Sequence, residues 1–175
     1  MAGRPEPAVR RADVADAEAV GRLLHDFNTE FDEPSPGPRP MAERVRELME
    51  SGDILVLLAG REPLGLAVLR FRPALWTTAL DAYLEELYVV PERRGQGHGR
   101  ALLEAAIEHA RREGAVRMEL NTEEDDVAAR ALYERLGFDN RGGRPGGPPS
   151  YYYERELPGQ EHGGGAARQR RAGGR

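Results

Sequence analysis

The chain contains no cysteine and no lysine. Without cysteine there is no disulfide, no thiolate nucleophile and no cysteine-based zinc site. Without lysine, all 25 strongly basic residues are arginines, and a lysine nucleophile, a Schiff base and lysine self-modification are excluded. Long apolar stretches are missing too. Nothing approaches the roughly 18 consecutive apolar residues of a membrane-spanning helix, so no membrane contact is expected. The opening MAGRPEPAVRRADVADAEAV lacks the apolar block of a secretory signal, and the chain reads as cytoplasmic. His25, His98, His109 and His162 show no close metal-ligand spacing, so no metal site is expected. Ser35, Ser51 and Ser150 lack the G-x-S-x-G frame of a serine hydrolase.

The 175 residues suffice for one domain with a real core. Net charge is −5; Arg168, Arg170, Arg171 and Arg175 against Glu161 give the tail after Pro158 a charge of +3, leaving −8 for the rest. An acidic body argues against general nucleic-acid binding and suits a cationic substrate.

Periodicity orders the chain. Residues 8–12 read as a first strand, with Asp13 and Asp16 as N-cap candidates. Ala19, Val20, Leu23, Leu24 and Phe27 then recur at helical spacing. A proline-rich loop is expected over 28–40 and a second helix from Met41 to a stop at Gly52. ILVLLAG (54–60) and LGLAVLRFR (64–72) predict an antiparallel hairpin turning at Arg61–Pro63, with a further strand over 82–90. A helix over 100–113 carries Leu103, Ile107 and Ala110 on one face and stops at Gly114; a strand follows over 116–121. Asp125 or Asp126 caps a helix presenting Ala129, Leu132, Tyr133 and Leu136 on one face, ended by Gly137. SYYYEREL (150–157) reads as a last strand and the Gly/Arg-rich tail 159–175 as disordered. The fold class is α/β: a mixed, mostly antiparallel twisted sheet with a parallel βαβ crossover at its centre and helices on both faces, in one domain over 1–158.

The stretch PERRGQGHGRALL (91–103) places glycines between a strand and a helix. The first amides of a helix have no intrahelical partner and carry partial positive charge, a setting that favours phosphate. A Walker A loop fails for want of lysine. The dinucleotide fingerprint G-x-G-x-x-G meets G-x-G-x-G instead, with Arg100 at the third required position, although Glu119 lies roughly where a ribose-binding acid would. The pattern R-x-x-G-x-G is met by Arg94, Gly97 and Gly99. A plain glycine turn into a helix is the remaining reading.

LEELYVVPERRGQGHGRALLEAAIEHAR followed by NTEEDDVAARALYERLGF resembles the GCN5-related N-acetyltransferase (GNAT) family over 82–139. The resemblance implies an acetyltransferase fold with acetyl-CoA as co-substrate. Its diphosphate would be cradled by Gly95, Gln96, Gly97, His98, Gly99 and Arg100, with Arg94 alongside. Leu87, Tyr88 and Val89 would bond the pantetheine arm through their backbone, the Val89 amide facing the acetyl oxygen. In this family that strand carries a β-bulge and splays from its parallel neighbour. Glu85 matches a catalytic glutamate, while Glu86 points to the other face unless the bulge changes the alternation. Tyr133 matches the tyrosine that protonates the leaving thiolate. Asp126 stands where the family often has asparagine, so its cofactor contact is in doubt and it can act as a cap alone; Asn121 is a second cofactor candidate.

The resemblance also puts the acceptor between the first helices and the final hairpin. Phe27, Glu30, Phe31, Asp32 and Tyr152 are the candidates there, carboxylates and aromatics suited to a cationic amine. The expected reaction is acetyl transfer to a primary amine of a small cationic molecule. A protein N-terminus or lysine, a non-catalytic acyl-CoA-binding module and, remotely, a dinucleotide enzyme are the alternatives. A homodimer is compatible with family habit.

Overall fold

The computed structural model describes residues 8–155 and 157. These fall into two compact units, one running to Glu119 and one beginning at Leu120. The tail expected to be disordered, 159–175, lies outside the described residues.

The first unit opens with β1 (Val9–Arg11) and a short 3-10 turn, Val14–Asp16. Asp13 accepts a hydrogen bond from the Ala15 N–H at 2.8 Å, and Asp16 Oδ2 accepts one from the Asp13 N–H at 2.9 Å, a reciprocal capping box. Arg10 forks onto Asp16 through two 2.6 Å bonds and thereby holds the Asp16 carboxyl below its ordinary range. Then come α1 (Ala17–Glu30), α2 (Pro38–Glu50), β2 (Leu55–Ala59), β3 (Gly65–Pro73), β4 (Leu80–Val89), α3 (His98–Arg112) and β5 (Ala115–Glu119). α2 begins three residues before the expected Met41. Pro38 and Pro40, which suggested a loop, sit in its first turn, where no backbone N–H needs an intrahelical partner.

The strands pair in chain order β1-β2-β3-β4-β5, antiparallel until the parallel β4–β5 step. α3 forms the crossover, as expected. β2 is buried at every position, which explains why its sequence is a continuous apolar run rather than an alternation. On one face Val56, Leu58, Leu66, Val68 and Tyr88 join Ala17, Val20, Leu23 and Val45 of α1 and α2 in one core cluster. The alternate residues Leu55, Leu57, Ala67 and Leu69 are also buried, and α3 buries Leu102, Leu103, Ala106 and Ala110 while packing on β2, β3 and β4. Helices therefore cover both faces, and the sheet is the mixed, mostly antiparallel one that the sequence predicts.

The second unit contains α4 (Val127–Arg135), capped by Asp126, whose Oδ1 accepts from the Ala129 N–H at 3.0 Å. The expected strand over 150–157 is a correction: residues 150–155 and 157 have no strand structure, and Tyr151, Tyr152 and Tyr153 are exposed. Pro148 and Pro149 supply no N–H to a ladder, and three successive tyrosines do not alternate.

Candidate active site

The site is built on β4. Its pairing with β3 runs in step from Gly65↔Val89 to Val68↔Glu86 and resumes at Leu69↔Leu84, so Glu85 is the extra residue of a β-bulge. The bulge resets the alternation. Glu86 lies opposite Val68, on the face covered by α1 and α2. Glu85 is ion-paired to Arg70, which shares that face with Leu66 and Val68. Both acids of LEELYVV therefore belong to one side of the sheet, the outcome the sequence left conditional. Arg70 was not among the expected site residues; no short-range pattern links it to a glutamate fifteen positions on.

The other edge of β4 is half paired. Its parallel ladder with β5 runs from Leu80↔Ala115 to Tyr83↔Glu119 and stops there, while β4 continues to Val89. From residue 84 onward this edge carries backbone donors and acceptors with no β5 partner among the described residues, which suits an extended amide-bearing ligand.

Beyond Val89 the chain makes a 3-10 turn, Pro91–Arg93, then the glycine loop. Gly95 and Gly97 have φ of +70° and +91°, a region side-chain-bearing residues rarely adopt. The first backbone bond of α3 runs from the Ala101 N–H to the Gly97 carbonyl at 3.0 Å, so the amides of His98, Gly99 and Arg100 precede the ladder. His98 Nδ1 is buried with no hydrogen-bond partner among the described residues. An unladdered helix mouth beside an orphaned ring nitrogen fits a bound diphosphate. Within the loop and the first turn of α3, Gln96 Nε2 donates to the Glu92 carbonyl at 3.2 Å, and Arg100 Nε to Glu104 Oε1 at 2.9 Å.

Arg94 joins the end of α1 to the end of β4. Its Nη1 and Nη2 donate to the two Glu30 oxygens, both at 2.7 Å, and its Nε donates to the Val89 carbonyl at 2.9 Å. The guanidinium carbon lies 5.7 Å from the Tyr88 ring centroid. Phe27 meets Tyr88 edge-on at 5.5 Å and Phe31 at 5.1 Å. Burial first, then the charges of Glu30 and Asp26, push the Tyr88 phenol up to about 12. Tyr88 therefore stays a protonated, uncharged hydroxyl at working pH. Past α1 the loop turns at Asp32, φ +55°, and is pinned by His25 Nδ1 to Ser35 Oγ at 2.8 Å and by Asn28 Nδ2 donating to the Pro34 carbonyl at 2.9 Å. The structure therefore gathers Phe27, Glu30, Phe31, Tyr88, Val89 and Arg94 around the end of β4, with Glu85 on the same strand.

Asn121, Asp126, Tyr133 and Tyr152 belong to the second unit. Tyr133 is buried and sits edge-on to Phe138 at 6.1 Å. Asp126 does the capping job that its departure from asparagine suggested.

The sequence profile described as the acetyltransferase (GNAT) family matches residues 19–138. The chain belongs to that family. This GNAT acetyltransferase is 46% identical to a protein of Arthrobacter sp. FB24, described as an acetyltransferase, whose crystal structure superposes with a TM-score of 0.80 over 90% of this chain and all of that one. It is 27% identical over 133 residues to the uncharacterized N-acetyltransferase YhfO of Bacillus subtilis, covering 75% of this chain and 89% of that protein. A shorter match, 48% over 59 residues, links it to the mycothiol acetyltransferase of Kocuria rhizophila, covering 32% of this chain and only 20% of that enzyme.

Proposed function

We propose that this acetyltransferase moves the acetyl group of acetyl-CoA to a primary amine of a small cationic acceptor by direct attack on the thioester. One observation carries the reading: the edge of β4 that β5 does not pair leads, through the glycine loop, to the first amides of α3, so strand backbone and a helix N-terminus follow one another on one continuous segment, 84–100. A pantetheine arm followed by a diphosphate has that order of needs. The acetyl thioester supplies an activated carbonyl. A bond forms from the amine nitrogen to the acetyl carbon as the carbon–sulfur bond breaks; the amine gives up a proton and the thiolate takes one. Glu85, on the bulge, is the proposed base for the first transfer and Tyr133 the proposed donor for the second. The Val89 N–H is the proposed donor to the acetyl oxygen. The acidic body and the carboxylates of the loop after α1 favour a cation, and polyamines or aminosugars lead over peptide amines.

A thermal shift tests the donor. Acetyl-CoA or CoA at a hundred times its dissociation constant stabilises the folded chain by about 2.7 kcal/mol, while NAD and ATP do not. Stabilisation by NAD without acetyl-CoA would overturn the reading. Release of free thiol across a panel of amines then separates turnover from binding alone. In the active assay, Tyr133→Phe slows kcat by roughly 10²-fold or more with CoA affinity unchanged; an unaltered kcat removes the donor role and leaves the ring to its packing against Phe138.

A further inference from the structure

The motif arginine, Arg94, has partners within the chain. Three hydrogen bonds tie it to Glu30 at the end of α1 and to the Val89 carbonyl at the end of β4. Glu30 and Arg94 are 64 positions apart, so the contact joins two segments that share no local structure. We propose that Arg94 is a positioning residue, held by Glu30, that fixes the Val89–Val90 peptide at the end of β4 and links it to the helix bordering the acceptor.

That peptide is held at both of its polar atoms. Arg94 takes the Val89 carbonyl, and the Val90 N–H donates to the Leu64 carbonyl at 3.0 Å. The peptide plane can therefore rotate only by breaking a bond on one side or the other. Under the proposed function this is the stretch whose backbone receives the pantetheine arm, and the inference rests on that reading. Arginine suits the task because its planar fork meets both Glu30 oxygens while the remaining Nε reaches a third acceptor; a lysine ammonium cannot hold that geometry. Tyr88 braces the guanidinium from below, and Phe27 braces Tyr88. Glu30 is accordingly a link in this chain rather than the ligand of the acceptor cation.

The test uses two probes that need no acceptor: CoA, and pantetheine, which has the same arm and no diphosphate. Arg94→Met and Glu30→Gln each weaken both probes by about the same factor, on the order of tenfold, and the double variant is no weaker than the worse single, as for two groups acting as one unit. Exchange of the Val90 amide hydrogen quickens in both single variants without any ligand. Arg94→Lys, which keeps the charge and loses the fork, resembles Arg94→Met. Loss of CoA binding with pantetheine unaffected would make Arg94 a diphosphate ligand and overturn the inference, as would additive losses or unchanged exchange at Val90. A wild-type chain that binds neither probe fails at the donor reading instead, a result distinct from all of these.

Discussion

Glu85→Gln lowers kcat by roughly 10²- to 10⁴-fold at neutral pH, the usual range for removing a positioned general base, with CoA affinity close to that of the unaltered chain. The substitution keeps the side chain's size and leaves an amide oxygen to accept from Arg70, so the contact across β3 and β4 survives in form. What disappears is the carboxylate proposed to take the proton. Glu85 and Arg70 are both part-exposed, and an ion pair in that setting contributes about 0–1 kcal/mol, too little for its weakening to unfold the sheet.

Arg70→Leu separates the two roles. If Glu85 merely anchors Arg70, that variant loses as much activity as Glu85→Gln. If Glu85 is the base, Arg70→Leu stays within a few-fold of the unaltered chain. Glu86→Gln belongs in the same series because the bulge brings Glu86 to the same face. Retained turnover there, with turnover lost in Glu85→Gln, assigns the proton transfer to Glu85; the reverse pattern moves it one residue along.

The glycine loop and its helix were legible because their causes are local. A strand, a proline, glycines at positive φ and a helical stripe follow one another within a few turns of chain, and the structure has them in that order. The β2–β3 hairpin was legible for the same reason. The facing of Glu85 and Glu86 was not, since strict alternation puts adjacent residues on opposite faces and a bulge breaks that rule without a residue type to announce it. The Glu30–Arg94 and Arg70–Glu85 pairs were invisible because no periodicity relates residues brought together only by folding. Arg94 is singled out by its motif, but its partners could be known only once α1 lay beside β4. The proline-rich segment misled at Pro38 and Pro40, where the same missing N–H that forbids a helix interior is harmless in a first turn. SYYYEREL has strand composition, but composition alone cannot furnish a neighbour to pair with.

Gly21→Leu destabilises the first unit by about 3 kcal/mol or more, at or beyond the upper end of ordinary overpacking. Gly21 lies inside α1, where glycine costs roughly 1 kcal/mol relative to a good helix former, so propensity alone predicts a gain. Packing decides otherwise. A Cβ on Gly21 would fall 2.5 Å from the Ala42 nitrogen, 2.7 Å from its Cα and 2.8 Å from its Cβ. These are mostly backbone atoms of α2, so no side chain can swing aside, and the helices must part. Parting them opens the cluster in which Val20 and Leu23 meet Val45 and moves the end of α1, where Phe27 and Glu30 reach Tyr88 and Arg94. Denaturant unfolding of Gly21→Ala and Gly21→Leu gives the measure. A midpoint that falls with Ala and falls further with Leu, with CoA binding weakening in parallel, is the expected result. A rise in the Ala variant would mean that helix propensity outweighs the contact, and that α1 and α2 are not held at the distance on which the acceptor side of this site depends.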